Sequence, residues 1–109
     1  MSSNLIVNTM WATSYIEALR AGETVSFRPR GNSMRPKIES GQLVTVSPVG
    51  DRELQTGDIV LCKVSGHQYL HIITAIDQDG RCQISNNRGH INGWAQRQNV
   101  FGVVVKVED

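Results

Sequence analysis

Two residues of the sequence have the types and settings for nucleophilic chemistry: Ser33, in the glycine-led stretch GNSMRP, and His71, inside the apolar run YLHIITAI. A serine hydroxyl is a weak nucleophile at neutral pH and needs a base within hydrogen-bond reach, and a neutral histidine can be that base. Each residue also has a plainer reading. Gly31, Asn32 and Ser33 are residue types that turns select, and His71 can be a half-buried strand histidine whose hydrogen bonds are satisfied. Strand alternation puts His71 on one face with Tyr69 and Ile73, opposite Leu70 and Ile72. His67 and His90 fall in SGHQ and NRGHING and read as exposed turn histidines. No carboxylate cluster accompanies the three histidines, so neither a metal site nor another cofactor is expected.

Around these residues the chain predicts one helix and many strands. In NTMWATSYIEALRAG, Trp11, Tyr15 and Leu19 recur at helical spacing, Asn8 or Thr9 is placed to cap the start, and Gly22 to end it. An amphipathic N-terminal helix over 8–21 follows. From residue 23 to 107 the runs TVSFRP, QLVTVSPV, DIVLCKV, YLHIITAI, CQISN and FGVVVKV are rich in β-branched residues. Turn signals separate them: ESG, TGD, SGHQ, DQDG and NNRGHING. Six short strands in so short a span predict a mainly β fold, a sheet coiling toward a barrel or sandwich. VSGH and DQDG read as hairpin tips, making DIVLCKV, YLHIITAI and CQISN an antiparallel meander.

The bulk properties narrow the class. With 109 residues, 39% apolar and 19% charged, the chain suits one folded domain over 1–109. A net charge of +1 gives no global field for nucleic acid, and the local basic edge of Arg28, Arg30, Arg35 and Lys37 reads as a solvated loop. No apolar run approaches the ~20 residues of a membrane-spanning helix, and no signal-peptide pattern opens the chain. A cytoplasmic protein is therefore expected. Cys62 and Cys82 lie in strand-like runs without CxxC spacing and read as buried free thiols.

Taken in order, the motifs resemble the superfamily of serine peptidases that contains the signal peptidases and the self-cleaving LexA-type repressors. GNSMRPKIESGQLVTV resembles their nucleophile box, and TGDIVLCKV the Gly-Asp-Ile-Val strand that follows it. YLHIITAID falls where bacterial members carry a general-base lysine and where the endoplasmic-reticulum and archaeal signal peptidases carry histidine. CQISNN and FGVVVKV resemble the closing strands, so the likeness spans roughly Val25 to Val107. It implies a LexA/signal-peptidase-like coiled sheet, with Ser33 as nucleophile and His71 as base. The Ser33 N–H, with Gly31 and Asn32 beside it, becomes the candidate oxyanion donor, while Met34 and Pro36 are candidates for the substrate groove.

Histidine-using relatives place an aspartate after the base strand. Here ISNN puts Ser85 or Asn86 near that position, so a dyad with a neutral orienting partner is expected, not a triad with Asp. Gly41-Gln42 replaces the family's Gly-Asp, and Ile72 its arginine after the base. The chain carries no transmembrane anchor, no helix-turn-helix and no Ala-Gly self-cleavage site ahead of the box, which makes a stand-alone catalytic domain the expectation and is compatible with a phage or mobile-element gene. The implied function is a soluble serine endopeptidase acting on an extended peptide. The alternative is a peptidase-like fold that binds peptides or proteins without turning them over.

Overall fold

The computed structural model describes residues 10–109. It contains helix α1 (Thr13–Arg20) and strands β1 (Val25–Phe27), β2 (Leu43–Pro48), β3 (Ile59–Val64), β4 (His67–Ile76), β5 (Cys82–Ser85), β6 (Ile91–Ala95) and β7 (Val100–Glu108). All seven strands join one antiparallel sheet in the order β1-β2-β7-β3-β4-β5-β6. The predicted meander is present as β3, β4 and β5. The last strand, β7, inserts between β2 and β3 and joins the first hairpin to the meander.

Two apolar clusters flank this sheet, and strand alternation sorts the residues between them. Leu70 and Ile72 of β4 pack with Ile16, Leu19, Phe27, Met34, Ile38, Val44 and Val46. Tyr69 and Ile73 pack with Val60, Cys62, Cys82 and Ile84. Neither cysteine is in a disulfide, and both are fully buried. Burial, reinforced by the neighbouring Cys82, pushes the Cys62 thiol up to about 12.

The helix is shorter than its pattern. The expected start and its caps, Asn8 and Thr9, lie outside the described residues, and Met10 to Ala12 form a turn before α1 begins. Its C-terminal end is closed as the sequence predicts, with Gly22 at φ +89° and the Gly22 and Glu23 N–H groups donating to the Leu19 and Ala18 carbonyls at 3.0 and 2.9 Å, whereas no side chain adjacent in sequence caps its start. Gln68 of β4, buried among apolar groups, reaches across: its Oε1 accepts the Ala12 N–H at 2.6 Å and its Nε2 donates to Thr13 Oγ1 at 3.0 Å. Trp11 Nε1 donates to the Gln68 carbonyl at 3.1 Å. A tertiary contact thus satisfies the Ala12 N–H at the helix start and fixes α1 against the strand that carries His71.

The sequence also predicts turn where the structure has a strand. Ile91–Ala95 pairs with β5, although NNRGHING reads as loop. Gly93 explains the misreading: it has φ +141°, and a Cβ there would stand 2.9 Å from Val64 Cγ1. A glycine that signals a turn in sequence is used here for close approach between neighbouring parts of the sheet.

Gly102 makes the same point at the sheet's centre. It pairs with Pro48 on one side and Leu61 on the other, and an added Cβ would lie 2.6 Å from Val46 Cγ1 and 2.8 Å from the Ser47 carbonyl oxygen. Because one obstacle is backbone, the strain cannot relax by a rotamer change alone. Gly102→Ala is therefore expected to destabilise the fold by ~1–3 kcal/mol, read from urea unfolding midpoints; an unchanged midpoint would refute the packing argument.

Candidate functional site

Ser33 lies in the loop between β1 and β2, and that loop is built to hold it out of the sheet. Its base is closed by the Gly41 N–H to Pro29 carbonyl bond at 2.9 Å and by Arg28 Nη1 donating to the Gly41 carbonyl at 2.8 Å. Met34 and Ile38 are driven into the apolar cluster, each 4% exposed, and the Ile38 N–H donates to the Met34 carbonyl at 3.0 Å. Burying Met34 leaves the adjacent Ser33 exposed. Gly31 takes φ +111°, a region glycine adopts without steric cost, and its N–H is held by Ser40 Oγ at 3.2 Å.

A second anchor comes from the loop between β5 and β6. The Asn87 N–H donates to the Ser33 carbonyl at 2.8 Å, and Asn87 Nδ2 donates to the Arg35 carbonyl at 2.8 Å. Two bonds from one residue therefore straddle Met34 and fix the backbone on both sides of it. Asn86 shapes the loop that presents Asn87: its Oδ1 accepts the Arg88 N–H at 2.8 Å and the His90 N–H at 3.0 Å.

His71, 8% exposed on β4 opposite Val60, meets this loop edge-on. Its Nε2 lies 3.1 Å from Ser33 Oγ, and its Nδ1 lies 2.6 Å from Asn92 Oδ1 on β6. The amide oxygen of Asn92 can only accept, so Nδ1 carries the proton. In the neutral ring Nε2 is then the acceptor, and the Ser33 hydroxyl donates to it. Tyr69 stacks on the imidazole with centroids 5.0 Å apart and planes inclined by 23°. The ring is therefore fixed at both nitrogens and on one face.

Burial holds the His71 imidazole below the usual histidine range; the bond to Asn92 pushes the other way, and the charge of His90 adds to the effect of burial. The ring is thus neutral at neutral pH, the form in which Nε2 can accept a proton.

The structure brings together Ser33, His71, Met34 and Gly31, which all border one cleft of about 150 Å³. Pro36 follows on the exposed side of the loop and does not border that cleft. The Asn32 carbonyl accepts the Arg35 N–H at 3.2 Å within the turn. Ser85 is fully buried and bonds Thr74 Oγ1 at 2.9 Å, while Asn86 is occupied in its own loop. The partner at Nδ1 is instead Asn92, which the sequence reading left inside a turn. Among the described residues no cluster of metal-ligating side chains is found, and no helix is long and apolar enough to cross a membrane.

The lowered proton affinity of His71 makes stability depend on pH with a definite sign. Below pH 6.5 the unfolded chain's imidazole takes up a proton that the folded one refuses, so stability falls as pH drops from 6.5 toward the folded-state value and is fully present above 6.5. His71→Gln, which cannot titrate, is expected to flatten the loss of urea-unfolding free energy between about pH 7 and pH 5. Equal slopes for the two proteins would refute the assignment.

A family model described as Peptidase S24-like matches residues 3–105 of the chain. No curated protein matches the chain.

Proposed function

The chain belongs to the Peptidase S24-like family, within the LexA/signal-peptidase-like superfamily, and on that premise we propose that it is a serine endopeptidase working through Ser33 and His71 on an extended peptide. The observation that carries the reading is the 3.1 Å approach of Ser33 Oγ to the unprotonated nitrogen of a ring whose other nitrogen is held by Asn92. Family membership gives the coarse function; the roles below are our reading of the geometry.

In this mechanism His71 Nε2 removes the hydroxyl proton as Ser33 Oγ attacks the scissile carbonyl carbon. Negative charge collects on the carbonyl oxygen, and the Ser33 N–H, which donates to no described residue, is the candidate donor toward it. The imidazolium then gives its proton to the departing amine, leaving an acyl-serine. Water, deprotonated by the same nitrogen, releases the acid and restores the hydroxyl. Asn92 holds the tautomer that makes Nε2 the base throughout. Being neutral, it stabilises the imidazolium less than a carboxylate would.

The peptide would lie along the outer edge of β1, which among the described residues pairs with β2 alone, and lead its scissile bond to the loop that follows β1. In the same reading the whole chain acts as one peptidase-like domain, and its two buried free thiols suit a reducing compartment such as the cytoplasm. The neutral partner at Nδ1 also favours a second reading, a peptide-binding module with little or no turnover.

Digestion of a proteome-derived peptide library, with new N-termini identified by mass spectrometry, separates the two. The peptidase reading expects cleavage that Ser33→Ala reduces by ~10³-fold or more while the protein stays folded. It also expects the rate to fall on acidification only below the ordinary histidine range, because His71 resists protonation. Absence of Ser33-dependent cleavage would leave the binding module.

A further inference from the structure

The cleft beside Ser33 does not end at the nucleophile loop. Trp11, Pro29 and Arg30 border it and also border a second, larger pocket of about 300 Å³. The walls of that pocket are aromatic. Tyr15 and Phe27 stack with centroids 4.3 Å apart, and Trp11 meets Phe27 edge to face at 5.6 Å. These rings come from the turn before α1, from α1 and from β1, and the Gln68 contacts hold Trp11 in place.

The rim of the second pocket is positively charged. Of the cations along this loop, Arg35 is neutralised by Glu39 at 2.8 Å, and Arg28 is engaged by the Gly41 carbonyl. Arg30 is exposed, borders both pockets, and has no acidic partner among the described residues. A planar guanidinium beside an apolar hollow is a ready site for a carboxylate.

We infer that the second pocket is a specificity site of this cleft: it takes an aromatic side chain of the bound peptide, while Arg30 reads an adjacent Asp or Glu. The assignment rests on the reading of the cleft as a peptide site. Three features support this occupant over others: continuity with the Ser33 cleft, a wall of rings that favours offset or edge contacts with another ring, and an unpaired cation at the junction. A peptide laid beside β1 would pass both pockets, and the second, at about 300 Å³ against about 150 Å³, has the more room for a ring.

Binding is measured on Ser33→Ala, so that turnover does not enter. The probes are acetylated, amidated hexapeptides of alanine carrying Phe-Glu or Glu-Phe at the centre, followed by titration calorimetry or Trp fluorescence. Replacing Phe by Ala or Glu by Gln in the better probe is expected to weaken binding by roughly 10-fold each. The added change Arg30→Glu is expected to reverse the preference from Phe-Glu to Phe-Lys, a gain that a damaged fold would not produce. Tyr15→Ala weakens only the Phe-containing probes.

Equal binding of all probes, no binding of any, or an unaltered preference in Arg30→Glu would overturn the inference. The library digestion reports separately on the peptidase reading. Ser33-dependent cleavage with flat side-chain preferences would refute the specificity site and keep the peptidase, whereas probe selectivity without cleavage would keep the site and refute the enzyme.

Discussion

A hydrogen bond between a loop hydroxyl and a buried ring demands that neither partner move, and here the burden falls on the bond from His71 Nδ1 to Asn92. At 2.6 Å it is the shorter of the imidazole's two bonds, and it decides which nitrogen is left to face Ser33. Without it the ring could flip or exchange tautomers, and the hydroxyl would meet an N–H in place of a lone pair. Most of the surrounding fold can be understood as holding the three residues of this chain of bonds, on a loop and two strands, in line.

The three come from distant parts of the sequence: the β1–β2 loop, β4 and β6. The β5–β6 hairpin connects them mechanically. One of its residues, Asn87, fixes the backbone of the Ser33 loop, and another, Asn92, fixes the His71 ring. A single short element therefore sets both ends of the Ser33–His71 distance. On the far side, Gln68 ties α1 to β4 close to His71 and brings Trp11 to the cleft wall. The helix contributes to the site through position, while its own apolar stripe is spent on the core.

The settings of Ser33 and His71 were legible from local rules, whereas their pairing was read from the order of the motifs and the resemblance it carries. A Gly-Asn-Ser turn before a buried methionine presents the hydroxyl, and a histidine within alternating apolar residues belongs to a strand. The mainly β architecture and the central meander were legible for the same reason. Asn92 was not legible. The chain IleAsnGlyTrpAla, with Asn and Gly at its centre, carries the composition of a turn, and what makes it a strand is pairing with β5 together with the lack of a side chain at Gly93 opposite Val64.

The choice of Ser85 or Asn86 as the orienting residue failed on geometry that alternation cannot see. The β4–β5 ladder shifts register between Ile73 and Ala75, and the β5–β6 ladder shifts between Ile84 and Ser85. Each irregularity changes which side chain faces which neighbour, since one residue of slip exchanges the two faces of a strand. Ser85 is thereby committed to Thr74, and the acceptor for His71 comes from one strand farther along. The same displacement bears on chemistry: histidine-using relatives have an aspartate after the base strand, whereas the position that reaches Nδ1 here is an amide. An amide fixes the tautomer as firmly as a carboxylate but returns less stabilisation once the ring is charged. Burial opposes the charged ring and the Asn92 bond offsets it only in part, which makes proton removal from Ser33 the step on which turnover would depend.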